Sequence, residues 1–226
     1  MHILVIGGTG RTGQLIIAEA LFKGHQITAL VRNTSSLAPQ GNLTIIRGTP
    51  LNPHDIATAF TASPTSVPTA IIVALNARRA SDSPFAAPSP DTPPRLMADS
   101  VANAIAGMKA HGASRIVIMS SQGAGTSFAG LGWMMRLVFS KTNMKLQMED
   151  HDAVDAETRR QAGVDFVMVR PVMLAEGPAA PVRVYGDEGR GIPGFMPKIT
   201  RASIARFMVE ALDGEEYVGR APVISN

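Results

Sequence analysis

Short apolar runs, each closed by a glycine or a polar residue, alternate along this chain with longer stretches in which apolar residues return every three or four positions. The first run, Ile3-Leu4-Val5-Ile6, contains no polar residue and is expected to be a strand buried on both faces. After a cluster of glycines, an apolar helical pattern passes through Leu15, Ala18, Leu21 and Phe22 and closes at Gly24 behind Lys23. Residues 26–31 give a second strand that ends at Arg32. Residues 33–41, rich in Ser, Thr and Pro, give a loop with at most one helical turn. A third strand spans residues 43–47. A short helix follows from Asn52-Pro53 through Phe60, with Asn as its cap and Pro in its first position. Residues 70–75 form a fourth strand. This βαβ(α)βαβ alternation demands a parallel sheet with helices on both faces.

Residues 76–94 break the rhythm with five prolines and the pair Arg78-Arg79. A loop of this length after the carboxyl end of a strand is either a segment that covers a ligand or a surface insertion. Residues 96–111 then form a long amphipathic helix ended by Gly112. A fifth strand at 115–119 empties into Ser120-Ser121-Gln122-Gly123. Residues 129–139 form a short helix carrying Trp133, Met134, Met135, Leu137 and Phe139, a stripe suited to core or subunit contact. A charged helix at 145–162 precedes a sixth strand at 166–170. Short strands are expected at 182–185 and, as an edge strand, at 222–225, with a last helix at 199–212. The predicted architecture is one Rossmann-like α/β domain over residues 1–226, a doubly wound parallel sheet of order 3-2-1-4-5-6. Substrate loops are expected at 76–94 and 173–198.

Composition narrows the classes. With 226 residues, 45% hydrophobic and 17% charged, the chain fits one large globular domain with a sizeable core. Its net charge is +3 and no run of Lys or Arg exceeds two residues, so neither nucleic acid nor a membrane is implied as a partner. The absence of cysteine removes disulfides, thiolate metal sites and a cysteine nucleophile. The histidines show no metal-ligand spacing, so no metal is expected. The first strand begins at residue 2 or 3, so no signal or transit peptide is expected, and the protein is expected in the cytoplasm as a monomer or homodimer.

The chemistry concentrates at Gly7-Gly8-Thr9-Gly10-Arg11-Thr12-Gly13, which lies between a buried strand and a helix. Such a turn aims unpaired N–H groups and the positive end of a helix dipole at one spot, which suits a pyrophosphate. Gly7 allows the tight turn, Gly10 lets a ligand approach the backbone, and Gly13 lets the helix pack against the strand. Sites selective for NAD carry an acid about 20 residues further on. Here residues 26–33 contain no acid, and Arg32 stands nineteen residues after Gly13. A guanidinium at that place matches a 2′-phosphate, with Ser35 as an added hydroxyl donor, so NADP(H) is the expected cofactor. Arg11 is a second candidate for that phosphate or for the pyrophosphate.

Together with Leu30-Val31-Arg32 and Met119-Ser120-Ser121, the glycine motif resembles the atypical short-chain dehydrogenase/reductases of the NmrA-like superfamily. Residues 104–112, Ala-Ile-Ala-Gly-Met-Lys-Ala-His-Gly, and the tail Glu216-Tyr217-Val218-Gly219 are most similar to the biliverdin-IXβ reductase, or flavin reductase, branch. The resemblance covers most of the chain. It implies that Gly7, Thr9, Gly10 and Thr12 hold the pyrophosphate and that Arg32 and Ser35 hold the 2′-phosphate. It also implies Thr49 near the adenine, Leu75 and Asn76 beside the central ribose, and Met119 behind the nicotinamide, with His151 and Met173 facing the cofactor. The chain departs from that pattern at Thr49, where relatives usually carry Asp, and at Asn76, where the relative has Gly.

The common short-chain dehydrogenases use Tyr-x-x-x-Lys to protonate the substrate oxygen. The two tyrosines here, Tyr185 and Tyr217, have no Lys four residues on and lie too late in the chain. Acceptors that delocalise charge, such as flavins, quinones and bilins, need no such donor. The expected function is therefore NADPH-dependent hydride transfer to a small conjugated acceptor. Ser121 is expected to position the acceptor or the nicotinamide amide, a role Ser120 can exchange with it. Arg78 meets an acidic group of the substrate or is a surface residue. Lys145 is a candidate ribose contact. Two alternatives keep the same fold: a non-catalytic NADP-sensing regulator, and an oxidoreductase of aromatic polyketide biosynthesis.

Overall fold

The computed structural model describes residues 1–64, 66–81 and 83–226. Asp82, inside the proline-rich segment at 76–94, lies outside the described residues. Six parallel strands form the body of the sheet: β1 (His2–Ile6), β2 (Gln26–Val31), β3 (Leu43–Arg47), β4 (Ala70–Val73), β5 (Arg115–Met119) and β6 (Asp165–Pro171). Three further short strands follow, β7 (Met173–Ala175), β8 (Arg183–Val184) and β9 (Lys198–Thr200), and the chain ends in β10 (Val223–Ser225). Among the described residues the main sheet has the order β3-β2-β1-β4-β5-β6-β10-β8, so the expected 3-2-1-4-5-6 order is present and is extended at one side. β10 runs parallel to β6 and antiparallel to β8, which makes it an inner strand and β8 the edge. The expectation of an edge strand at 222–225 is corrected: Val223 and Ile224 are fully buried there. β7 and β9 pair in parallel as a separate ladder. The segment 173–198 is thus partly built from strand rather than loop.

Among the described residues six α-helices cover the sheet: α1 (Arg11–Phe22), α2 (Pro53–Thr61), α3 (Leu96–His111), α4 (Trp133–Lys141), α5 (Met144–Arg159) and α6 (Arg201–Glu210). Side chains of a strand alternate between faces, so β1 sends Ile3 and Val5 to one side and Leu4 and Ile6 to the other. The first pair meets Ile16, Ile17 and Ala20 of α1 and Ile204 and Met208 of α6. The second meets Ile56 and Phe60 of α2, Val101 and Ile105 of α3, and Val154 of α5. Burial of both faces is what the unbroken apolar runs require.

The inner face of α1 differs from the expected one. Thr12, Gly13, Ile16, Ile17 and Ala20 are buried, whereas Leu15 and Ala18 are exposed and Phe22 is 87% exposed. Gly13 decides the rotation of the helix. A Cβ there would sit 2.1 Å from the Gly7 carbonyl oxygen, so only glycine lets this helix face press on the turn after β1. The helix at 52–60 forms as expected, with Asn52 Oδ1 accepting the His54 N–H at 3.0 Å. α3 lacks a cap from its own sequence. Arg95 precedes it in a left-handed conformation, φ 59°, with no side-chain cap bond. The Asp150 carboxylate, reaching over from α5, accepts the N–H groups of Met97 and Ala98 instead, each at 2.9 Å.

Candidate dinucleotide site

The order β3-β2-β1-β4 reverses direction at β1, and a crevice opens at the carboxyl ends of β1 and β4, the usual place for ligands in such sheets. Gly7 leaves β1 with φ 88°, and a Cβ on it would lie 2.5 Å from the Ala74 carbonyl oxygen. The turn therefore hugs the end of β4 in a way that only glycine permits. The Gly10 N–H donates back to the Gly7 carbonyl at 3.1 Å, and Gly10 is the N-cap of α1. No side chain caps that helix, and its first turn holds no acid. Its leading N–H groups and dipole are left for an external anion.

A cavity of about 380 Å³ sits over this turn. Its floor is Gly7, Thr9, Gly10, Arg11 and Thr12. One wall is the end of β2 with Arg32 and the segment after β3 with Thr49. The other is Leu75, Asn76 and Arg78 after β4, and Met119 lies at the end of β5. Asp91, Thr92 and Pro93 also line it, so both ends of the proline-rich segment form wall. That segment folds on itself: Arg79 and Pro88 form an antiparallel bridge, and the Arg78 N–H donates to Thr92 Oγ1 at 3.2 Å. Among the described residues, Arg11, Arg32, Arg78 and Arg201 line the cavity, together with Asp91. A glycine cradle, an uncapped helix start and guanidinium groups such as that of Arg32 in the lining fit a dinucleotide.

Several expected residues stand outside that lining. Gly13 packs on Gly7 beneath the floor. The Ser35 hydroxyl and its backbone N–H both donate to Asn33 Oδ1, at 2.9 and 3.1 Å. Met173 is partly exposed on β7, while its neighbour Leu174 faces the cavity, as strand alternation requires. Lys145 pairs with Glu149 along its own helix at 3.6 Å. The Ser121 hydroxyl donates to the Gln122 carbonyl at 3.0 Å. Ser120 and His151 are buried together, Ser120 Oγ 3.5 Å from His151 Nδ1. Burial, helped by the Arg170 charge, lowers the His151 pKa to about 4, so the ring is neutral near pH 7.

The structure also brings in residues that sequence reading missed. Arg201 and Leu174 arrive from the far end of the chain. The carboxylate of Asp55 on α2 takes the Thr49 N–H at 2.8 Å, so an acid stands beside the position where relatives usually carry one. Asn76 Oδ1 accepts from Gln147 Nε2 at 2.6 Å, which ties the β4 wall to α5. A hydrogen-bond partner in the sequence would have been the only signal for these, and no local spacing marks it.

Among the described residues no helix is long and apolar enough to cross a membrane, and no group of three or more His, Cys, Asp or Glu is placed to hold a metal ion. The profile of a family described as NAD(P)H-binding matches residues 7–215. The fold is shared with the oxidoreductase ylbE from Lactococcus lactis, at 15% identity and a TM-score of 0.75, over 100% of this chain and 91% of that one. It is shared also with an anaerobilin reductase, ChuY, from Escherichia coli, at 17% identity and a TM-score of 0.71, over 100% and 97% of the two chains. A Rossmann-fold NAD(P)-binding family protein from Shigella flexneri aligns at 18% identity and a TM-score of 0.66, over 100% and 93%. At these identities the likeness is one of fold. The chain belongs to the NAD(P)H-binding family that its sequence matches.

Proposed function

From an NAD(P)H-binding chain of this architecture, we propose an NADPH-dependent reductase that transfers hydride to a flavin, quinone, bilin or similar conjugated acceptor. The observation that carries this reading is where the tyrosines lie. Tyr185 has its hydroxyl at 3.3 Å from Ser225 Oγ beside β10, and Tyr217 packs on Phe207. Neither lines the cavity, so the phenol that protonates a simple ketone is not at hand. A conjugated acceptor spreads the charge it gains and takes its proton from water.

The nicotinamide would supply the hydride, and the chain's own residues would bind and orient. The glycine turn holds the diphosphate, and Arg32 at the end of β2 reads a 2′-phosphate. Met119 and Leu174 offer an apolar surface near the end of β5. Ser120 and Ser121 follow Met119 in the chain, and Ser121, the less buried of the two, would position a polar group of the acceptor. A relative by fold named for reduction of an anaerobilin agrees with a bilin among the acceptors. The protein is proposed to act in the cytoplasm as a monomer or homodimer. The test is NADPH oxidation measured against a panel of flavins, quinones and bilins. Turnover with at least one is expected. Tight NADPH binding with no turnover on any would favour the sensor alternative.

A further inference from the structure

Two side chains of α5, one helical turn apart, reach the carboxyl ends of two neighbouring strands. Gln147 Nε2 donates to Asn76 Oδ1 at 2.6 Å, just beyond β4, and His151 Nδ1 lies 3.5 Å from Ser120 Oγ, directly after β5. Residues four apart on a helix are about 6 Å apart along its axis, so Asn76 is held towards the β5 side of the cavity. The backbone after β4 alternates as an extended chain does: Asn76 and Arg78 line the cavity, while Ala77 between them packs on the core. With a diphosphate fixed over β1, the adenosine half of a dinucleotide belongs over β2 and β3, where Arg32 and Thr49 stand. Asn76 stands with Met119 in the other half, beside the place for the nicotinamide and the acceptor. A side-chain amide has one acceptor oxygen and a two-hydrogen donor. Gln147 takes the oxygen of Asn76, and among the described residues the amide nitrogen of Asn76 makes no hydrogen bond, so what Asn76 offers the cavity is N–H.

We propose that Asn76 donates a hydrogen bond to a carbonyl oxygen of the acceptor, that Gln147 is the positioning residue that sets its amide for donation, and that the acceptor is one whose conjugation ends on such an oxygen. The inference rests on reading the protein as an NADPH-dependent reductase. When hydride bonds to the acceptor, the dihydronicotinamide is oxidised and the electron pair displaced within the acceptor collects on the carbonyl oxygen. An N–H fixed beforehand at that oxygen stabilises the charge as it forms, and water then supplies the proton. An acceptor without a carbonyl oxygen gains nothing from Asn76.

The test measures kcat/KM at saturating NADPH for menadione, FMN and biliverdin, which carry conjugated carbonyls, and for methylene blue, a conjugated cation with none. The enzyme-free rate is subtracted, and the NADPH Kd is read in parallel from nicotinamide fluorescence. Asn76→Ala, at an exposed position, is expected to lower kcat/KM for the carbonyl acceptor by about ten- to a hundredfold, the worth of a hydrogen bond to a charged group. Methylene blue turnover and the NADPH Kd are expected to stay close to wild type. Asn76→Asp turns a carboxylate on the forming charge and is expected to lose more. Gln147→Glu draws the Asn76 N–H to its own carboxylate and is expected to slow the carbonyl acceptor alone, by about two- to twelvefold, the scale of one neutral hydrogen bond. Wild-type kcat/KM in Asn76→Ala, or an equal loss with methylene blue, would overturn the proposal. So would a raised NADPH Kd, which would move Asn76 to the ribose. If the wild type refuses methylene blue, a smaller loss for Asn76→Asp than for Asn76→Ala would overturn it. A wild type that reduces methylene blue alone would overturn the proposal and leave a reductase. One that oxidises NADPH with none of the four would overturn the reductase reading, and the role of Asn76 with it.

Discussion

The carboxylate of Asp150, on α5, accepts the backbone N–H of Met97, in the first turn of α3, at 2.9 Å. Its second oxygen takes the next N–H, that of Ala98, at the same distance, and Asp150 is buried. One side chain thus caps a helix to which it is joined only through the fold. Asp150→Ala leaves two first-turn donors without a partner and is expected to cost about 1–3 kcal/mol. Asp150→Asn keeps one acceptor and is expected to cost less. Urea denaturation of the two variants measures this, and equal stability of Asp150→Ala and wild type would contradict the capping role.

His151 makes stability depend on pH. Desolvation first, and the Arg170 charge second, hold its folded pKa at about 4, while the unfolded chain takes up the proton near the ordinary value of 6.5. The unfolded state therefore binds more protons between these values. The contribution is fully present above about pH 6.5, is lost as pH falls, and stops falling below about pH 4, where both states are protonated. The loss across that window is about 3 kcal/mol. Denaturation at several pH values between 7.5 and 4, on wild type and His151→Gln, gives the slope. An equal slope in both would assign it to other groups.

Arg32 lines the cavity at the carboxyl end of β2, and no acid accompanies it there. Arg32→Ala is expected to weaken NADPH by ~1.5–3 kcal/mol and to leave NADH close to wild type. Binding titrations with the two dinucleotides check this. Equal losses for both would remove Arg32 from the choice of cofactor.

Ser121 is expected to position rather than to donate a proton. Its hydroxyl already has an acceptor in the Gln122 carbonyl, and neither Tyr185 nor Tyr217 lines the cavity. Losing one neutral hydrogen bond costs roughly 0.5–1.5 kcal/mol, so Ser121→Ala should slow turnover only about two- to twelvefold. The loss of a general acid more typically costs a factor of ~10²–10⁴. The measurement is kcat for both proteins from pH 6 to 9 with a conjugated acceptor. A hundredfold drop, or the disappearance of a single wild-type pKa, would place Ser121 in a proton relay and end the solvent-protonation reading.

The elements that contact one another along the chain were legible in its order of residues. Ile3-Leu4-Val5-Ile6 could only be a strand covered on both sides, and the alternation of such runs with helical patterns set the 3-2-1-4-5-6 sheet. The turn from Gly7 to Gly13 was equally plain, because the spacing of its glycines is a local pattern and Gly7 takes a positive φ, although the Ala74 carbonyl that also bars a Cβ on Gly7 comes from β4's distant end. Asn52 and Gly112 marked the ends of their helices for the same reason.

What tertiary structure alone decided is which distant groups share a partner. Which face of α1 turns inward depends on the contact of Gly13 with Gly7, and an apolar pattern through Leu15 and Phe22 gave no sign of it. Only packing seats β10 inside the sheet, since three residues carry too little pattern to tell an inner strand from an edge. The Asp150 cap on α3, the Asp55 carboxylate beside Thr49 and the carboxylate shared by Arg11 and Arg201 join residues from 6 to 165 or more positions apart. Charge and hydrogen bonding act over a few ångströms of space, and a sequence states which groups exist without stating which of them the folded sheet and helices bring within that reach.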